Sequence, residues 1–175
     1  RLYAVIRLRH LQSWVRSWQC DDLFAGTAAS VGAEDAWFLT ALELEVAKLT
    51  GVPLTGGSDD IFKCFDELDR DFLYGLLGAA GFPNGPLKAY QSFHEACLFL
   101  NTIAGGLGEP HRHPCGIPQG CPFSMMLVAF LFHPWARMIR AMGAVPRALA
   151  DDLLVYATGV YALCGFQLFA PINDF

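Results

Sequence analysis

Two stretches of this chain gather carboxylates where their neighbours suit a buried strand. One is Asp59-Asp60-Ile61-Phe62-Lys63-Cys64-Phe65-Asp66, and the other is Leu149-Ala150-Asp151-Asp152-Leu153-Leu154-Val155-Tyr156. Burying an unpaired carboxylate is expensive. A tight hairpin turn avoids that cost by exposing the acids. A bound cation avoids it too, and gives the pair a use. Phosphoryl transfer is the chemistry that most needs such a pair. It runs on cations that hold the attacking and leaving oxygens in line, often two Mg²⁺ ions roughly 4 Å apart. Mg²⁺ takes carboxylate, phosphate and water oxygens, so two Asp side chains from different strands must converge. Asp60 at a strand end and Asp151 at a neighbouring hairpin turn have suitable positions. Asp59 competes with Asp60 by proximity, but adjacent strand residues face opposite ways. Neither stretch is specific by itself.

A second cluster carries zinc-ligand types: His111, His113, Cys115 and Cys121. Their spacing fits no compact finger, so no zinc is expected. The six cysteines form no CxxC pair. They read as scattered thiols of a reducing compartment and not as a disulfide framework.

The elements that must position these residues follow from periodicity and breakers. Residues 2–19 suit a helix with Leu8, Leu11 and Val15 on one stripe. Residues 21–32 read as loop. Residues 33–49 form a helix whose apolar face holds Trp37, Phe38, Ala41, Leu42, Leu44 and Leu49, stopped by Gly51 and Pro53. A strand belongs at 54–62, weakened by Gly56, Gly57 and Ser58. Helices follow at 69–80 and from Pro86 to about residue 103, with Tyr90, Phe93, Cys97 and Leu100 facing inward. A Gly/Pro-rich loop spans 105–121, and a third long helix spans 122–142 with a bend near Pro134. Two short strands meet at Asp151-Asp152.

Composition sets limits on all of this. The chain has 175 residues, 54% apolar and 17% charged, which excludes general disorder. The best apolar run, 125–142, contains His133, Pro134, Arg137 and Arg140, so it reads as a half-buried helix and not a membrane span. No membrane partner and no secretory leader are expected. The net charge of -5 lacks the basic footprint usual for nucleic-acid binders, apart from Arg1, Arg7, Arg9 and Arg16.

Taken in order, three segments resemble the palm motifs of reverse transcriptases. Asp60 to Asp66 resembles the first catalytic motif, which opens on Asp and closes on Phe-Asp. Gly116-Ile117-Pro118-Gln119-Gly120-Cys121-Pro122-Phe123-Ser124 resembles the template-and-nucleotide loop, the most specific of the three. Ala150-Asp151-Asp152 resembles the aromatic-Ala-Asp-Asp box. Phe24-Ala25-Gly26 and the helix from Ala33 sit where enzymes of the non-LTR retrotransposon and group II intron type approach the first motif. The resemblance covers roughly residues 1–157.

That resemblance implies an RNA-directed DNA polymerase using two Mg²⁺ ions, with Mn²⁺ as a substitute. Its substrates would be an RNA template, a DNA primer and deoxynucleoside triphosphates. Asp60, Asp151 and the carbonyl of Ile61 would hold metal, with Asp152 supporting the metal site or the primer end. Phe65 would lie under the nucleotide sugar and disfavour a 2′-hydroxyl. Gln119 and Gly120 would shape the pocket floor beside the templating base, Gly120 by permitting close backbone approach. Asp66 would cap the following helix, and either Ser124 would cap the next one or Pro122 would begin it. The fold implied is α/β (α+β): a palm-like small antiparallel sheet backed by helices 69–80 and 122–142, with incomplete fingers and no thumb. The division implied is 1–53 for partial fingers and approach helices, 54–157 for the palm, and 158–175 for a truncated palm tail.

The departures from the family pattern are specific. Gly56-Gly57-Ser58-Asp59 replaces a hydrophobic strand, so a weak or short strand is expected. Leu149 stands where the box usually has an aromatic, and no Lys follows Lys88. The chain therefore reads as a fragment, of weak or no activity alone; it is read as intracellular, with the compartment, nucleus or cytoplasm, left open. Two alternatives stand beside the polymerase: a catalytically dead palm that scaffolds a partner, and an RNA-directed RNA polymerase, against which Phe65 argues.

Overall fold

In the computed structural model, which describes residues 2–27 and 31–164, the helices are α1 (Leu2–His10), α2 (Gln12–Trp18), α3 (Ala33–Thr50), α4 (Arg70–Ala79), α5 (Asn84–Ala96) and α6 (Pro122–Ala141). The strands are β1 (Leu23–Phe24), β2 (Leu54–Asp60), β3 (Thr102–Ile103), β4 (Gly106–Leu107), β5 (Val145–Leu149) and β6 (Asp152–Thr158). A 3₁₀ turn covers Gly159–Cys164. Most of the expected truncated tail, 165–175, and Arg1 lie outside the described residues. The described residues form two compact units, 2–11 with 63–124, and 12–27 and 31–62 with 125–164.

The second unit is built on a four-stranded sheet of order β1-β5-β6-β2. β5 and β2 flank β6 antiparallel, while β1 joins β5 in parallel. The sheet is thus mixed, not purely antiparallel, and its parallel strand comes from a stretch read as loop. Two residues with only a Leu-Phe signature carry too little periodicity to announce a strand. Asp22, just before them, anchors the strand. Its buried carboxylate accepts from Arg140 Nε at 2.9 Å, and its carbonyl accepts from the Ala148 amide at 2.9 Å.

β2 departs from expectation in the other direction. Despite its glycines, it pairs with β6 over all seven residues, Leu54 with Thr158 through to Asp60 with Asp152. Gly56 explains why. A Cβ there would stand 2.6 Å from both the Tyr156 Cβ and the Val155 carbonyl oxygen. The missing side chain lets β6 approach, so the glycine that argued against a strand is a condition of this one.

Cross-strand partners share a face. One face therefore carries Asp60, Asp152 and Leu149, then Ser58, Leu154 and Arg147. α3 lies on this face, where Arg147 donates to the Ala36 carbonyl at 3.3 Å and to Glu43 Oε1 at 3.0 Å. The opposite face packs Ala148, Leu153, Val155 and Ala157 against Trp135, Ala136 and Ile139 of α6. Trp14 and Trp18 of α2 stack on Phe130 of α6 at 5.0 and 5.2 Å between ring centroids. The sheet is therefore backed by helices on both faces, with α6 running unbroken through Pro134.

The ends of α3 are as expected. The Gly32 amide donates to Asp35 Oδ2 at 2.8 Å, and Gly51 closes the helix at φ 67°. Its buried face is not as expected. Thr40 and Ala47 are buried, whereas Trp37 is 74% and Leu49 is 81% exposed. Small residues let the helix sit close to the sheet, and the large apolar ones face outward.

The first unit holds α1, α4, α5 and a small hairpin. Leu73, Leu77, Leu87, Ile117 and Phe123 are buried there, and Tyr90 meets Phe123 at 5.6 Å. α4 packs on α5 within this unit. α5 ends at Ala96 rather than near 103, because Cys97 turns extended at ψ 129°. β3 and β4 then form a hairpin whose two loop residues, Ala104 and Gly105, both have positive φ (50° and 83°), the geometry that matches strand twist. Tyr90 is buried as expected, but Phe93 and Leu100 are exposed.

Candidate functional site

Strand ends bring the acids together. Asp60 is the last residue of β2 and pairs with Asp152, the first residue of β6, which also pairs with Leu149 at the end of β5. Ala150 and Asp151 make the turn between β5 and β6. Ala150 adopts φ 55°, a left-handed conformation in which its Cβ is crowded. The ladder runs one step past Asp60, where the Ile61 amide donates to the Asp151 carbonyl at 3.2 Å. Asp60, Ile61, Asp151 and Asp152 are thus adjacent through the backbone. Asp59, Asp60 and Asp152 are exposed, while Ile61 and Asp151 are half-buried. Asp59 Oδ1 accepts from the Asp60 amide at 3.0 Å, which gives it a local structural job.

Asp59, Asp60 and Asp152 line a cavity of about 580 Å³ whose other walls include Trp37, Leu149 and Arg147. Arg147 was legible only as a strand residue. Its side chain is 7% exposed, and it donates to Tyr156 Oη at 2.8 Å besides Ala36 and Glu43. Its guanidinium also lies over the Tyr156 and Phe24 rings, at 5.5 and 5.8 Å. The available signal was a lone cation inside an apolar strand, which must find partners if buried.

The chemistry open to this arrangement is cation attraction at a negative sheet end. Among the described residues, no group of three or more His, Cys, Asp or Glu side chains is placed to hold a metal ion. His111, His113, Cys115 and Cys121 form no such group either. His111 and His113 pack edge-on at 5.1 Å, and Phe99 joins His113 at 4.4 Å, an aromatic cluster.

Phe65, Gln119 and Gly120 belong to the other unit. There the first-motif turn and the Gly116–Ser124 segment are stitched together. The Ile117 amide donates to the Phe65 carbonyl and the Gly116 amide to the Leu68 carbonyl, both at 2.7 Å. Cys115 Sγ donates to the Asp66 carbonyl at 3.3 Å. Gly116, at φ 84°, lies so close that a Cβ would stand 2.5 Å from the Asp66 oxygen. Phe65 is half-buried, and Gln119 and Gly120 are exposed. Gly120 has φ 77° with nothing within 4 Å of a notional Cβ, so within the protein its glycine serves backbone conformation.

Two capping expectations are decided here. Asp69, not Asp66, caps α4, its Oδ1 accepting from the Phe72 amide at 3.0 Å. Asp66 is one turn too early and is held by the seam. Pro122 begins α6, while Ser124 Oγ donates back to the Pro118 carbonyl at 2.8 Å.

A second cavity of about 580 Å³ borders this loop, with Lys63, His94, Phe99, His113 and Gln119 in its walls. His94 is buried with no partner for Nε2. Burial, and then the nearby Arg70 charge, push its pKa down to about 4. Tyr74 is raised to about 12 by burial.

No protein-family model matches the chain. It is 29% identical over 134 residues to a Xenopus laevis protein described as the transposon TX1 uncharacterized 149 kDa protein, covering 70% of this chain and 10% of that one. It also resembles a solved apo telomerase from Candida tropicalis, truncated of its C-terminal domain, with a TM-score of 0.58 at 13% identity. That likeness covers 98% of this chain and 37% of the telomerase chain. The chain spans about a tenth of the curated relative and little more than a third of the solved one. The telomerase likeness shows the fold.

Proposed function

We propose that this chain is a reverse-transcriptase-like palm that serves as a binding and scaffolding domain for an RNA–DNA hybrid, and is not a self-sufficient polymerase. The observation that carries this reading is the state of the acid cluster. Asp60 and Asp152 meet at one sheet end, yet no third ligating side chain joins them among the described residues. The loop that resembles the template-and-nucleotide loop is, by contrast, tightly built.

One observation favours the polymerase itself as a second reading: Asp60, Ile61, Asp151 and Asp152 are neighbours in the ladder. Mg²⁺ needs only one or two protein carboxylates when substrate phosphates and water supply the rest. On this reading Asp60, Asp151 and the Ile61 carbonyl would hold two Mg²⁺ or Mn²⁺ ions beside a deoxynucleoside triphosphate, with Asp152 in support. Phe65 would select the sugar, and Gln119 and Gly120 would floor the templating base.

One experiment separates the readings. The full-length natural product is mixed with a recessed RNA-template/DNA-primer duplex, with and without Mg²⁺ or Mn²⁺. Hybrid binding without metal-dependent primer extension is the expected result. Extension that disappears in Asp60→Asn and Asp151→Asn would replace the scaffold reading with the polymerase.

A further inference from the structure

Arg70 opens α4, a poor place for a cation. Helix N-termini favour acids because the aligned peptide dipoles are positive there, so helix stability does not account for this residue. Burial does not account for it either. Arg70 is 6% exposed, and its nearest acid, Glu95, is an exposed side chain 3.8 Å away. Its Nε has no hydrogen-bond partner. A guanidinium held that way is costly unless other acceptors compensate.

Those acceptors are carbonyls of one loop. Nη2 donates to the His113 carbonyl at 2.6 Å, and Nη1 donates to the Cys115 and Gly116 carbonyls at 3.4 Å each. Three carbonyls turned toward one rigid planar fork define the path of residues 113–116. The residues just before Arg70 hold the same loop through the Phe65 and Leu68 carbonyls, which accept from the Ile117 and Gly116 amides. The start of α4 is therefore an anchor for both the Phe65 turn and the loop leading into Gln119 and Gly120.

We propose that Arg70 is a positioning residue: it sets the shape of the Gly116–Gly120 loop against the Phe65 turn, and so the affinity of that loop for an RNA–DNA hybrid, without touching the hybrid. The affinity part rests on the binding reading above; the clamp does not.

The test uses the full-length natural protein with Arg70→Gln and Arg70→Lys. Lysine keeps the charge but has a single nitrogen in place of the planar fork that spreads the donors over Nη1 and Nη2. Both variants should raise amide exchange at 116–121 by about tenfold or more, while α6 and the sheet keep their protection. Hybrid affinity should fall roughly fivefold, with the slope of log Kd against log salt unchanged. A slope reduced by about one would mean that Arg70 contacts a phosphate directly, and would overturn positioning. Unchanged exchange at 116–121, or exchange raised equally everywhere, would also overturn it, as would full function in Arg70→Gln. If Arg70→Gln does not fold, Gly116→Ala probes the same seam from the loop side and should give the same local pattern. Failure of the unsubstituted protein to bind hybrid would count against the binding reading alone. The exchange measurement would then decide the clamp by itself.

Discussion

His94 shows how burial sets the chemistry of one residue. An exposed histidine would take a proton near pH 6.5, whereas burial and Arg70 lower its folded pKa to about 4. Between those values the unfolded chain takes a proton that the folded chain refuses, so stability falls as pH drops through this window and levels off below it. The full shift would be worth on the order of 3 kcal/mol. Urea unfolding of the wild type should therefore weaken on acidification, and His94→Gln should flatten that dependence. An unchanged acid limb in the variant would show that other groups carry it. At the same scale, Asp69 and Asp66 differ only in reach. Both carboxylates precede α4, but only Asp69 stands at the position from which a side chain meets the third helical amide.

Among elements, β2 and α3 are where composition misleads. Glycine weakens a strand by its entropy and its lack of a side chain to pack. Here that loss is offset by the close approach of β6 over Gly56. Gly56→Ala should therefore destabilise the sheet unit by about 1–3 kcal/mol through overpacking, read by denaturant unfolding. It should also loosen the amides of 58–61, and with them Asp60. A neutral Gly56→Ala would mean that β2 can shift without consequence for the acids. In α3 the apolar residues form no single buried stripe. Thr40 and Ala47 are its buried residues, and Ala36 and Glu43 tie it to the sheet by accepting from Arg147.

At the scale of the molecule, charge limits what binding can be. Twelve Lys and Arg face seventeen Asp and Glu, a net charge of -5, and duplex affinity comes chiefly from phosphate neutralisation. The isolated chain should thus bind an RNA–DNA hybrid weakly, with a shallow salt dependence corresponding to about three phosphates or fewer. Fluorescence anisotropy across a salt series measures this directly. A steep slope would reveal a basic surface that the composition does not suggest. Among the described residues no helix is long and apolar enough to cross a membrane, as the interrupted 125–142 run implied.

The sequence by itself determined the order of the motifs, most helices and a hairpin next to Asp151-Asp152, whose turn falls one residue earlier, at Ala150-Asp151. Those features depend on local period, breakers and turn residues, which act over a few neighbours. It also determined that Asp60 ends a strand, although not that the strand would pair along its whole length. Only tertiary structure decided which faces are buried, because burial depends on what another element presents. Thr40 and Ala47 go inside while Trp37 and Leu49 do not. Tertiary structure alone also drew β1 into the sheet beside β5, gave Arg147 its partners at the acid face, and set Arg70 against the loop carbonyls. Apart from the Arg147–Tyr156 contact across the β5–β6 hairpin, these join residues more than forty positions apart, and no local pattern carries such a contact. The acids were legible as chemistry because a buried carboxylate demands a partner. Only the tertiary structure left Asp59, Asp60 and Asp152 exposed at the sheet end, because exposure depends on what packs there and not on spacing along the chain.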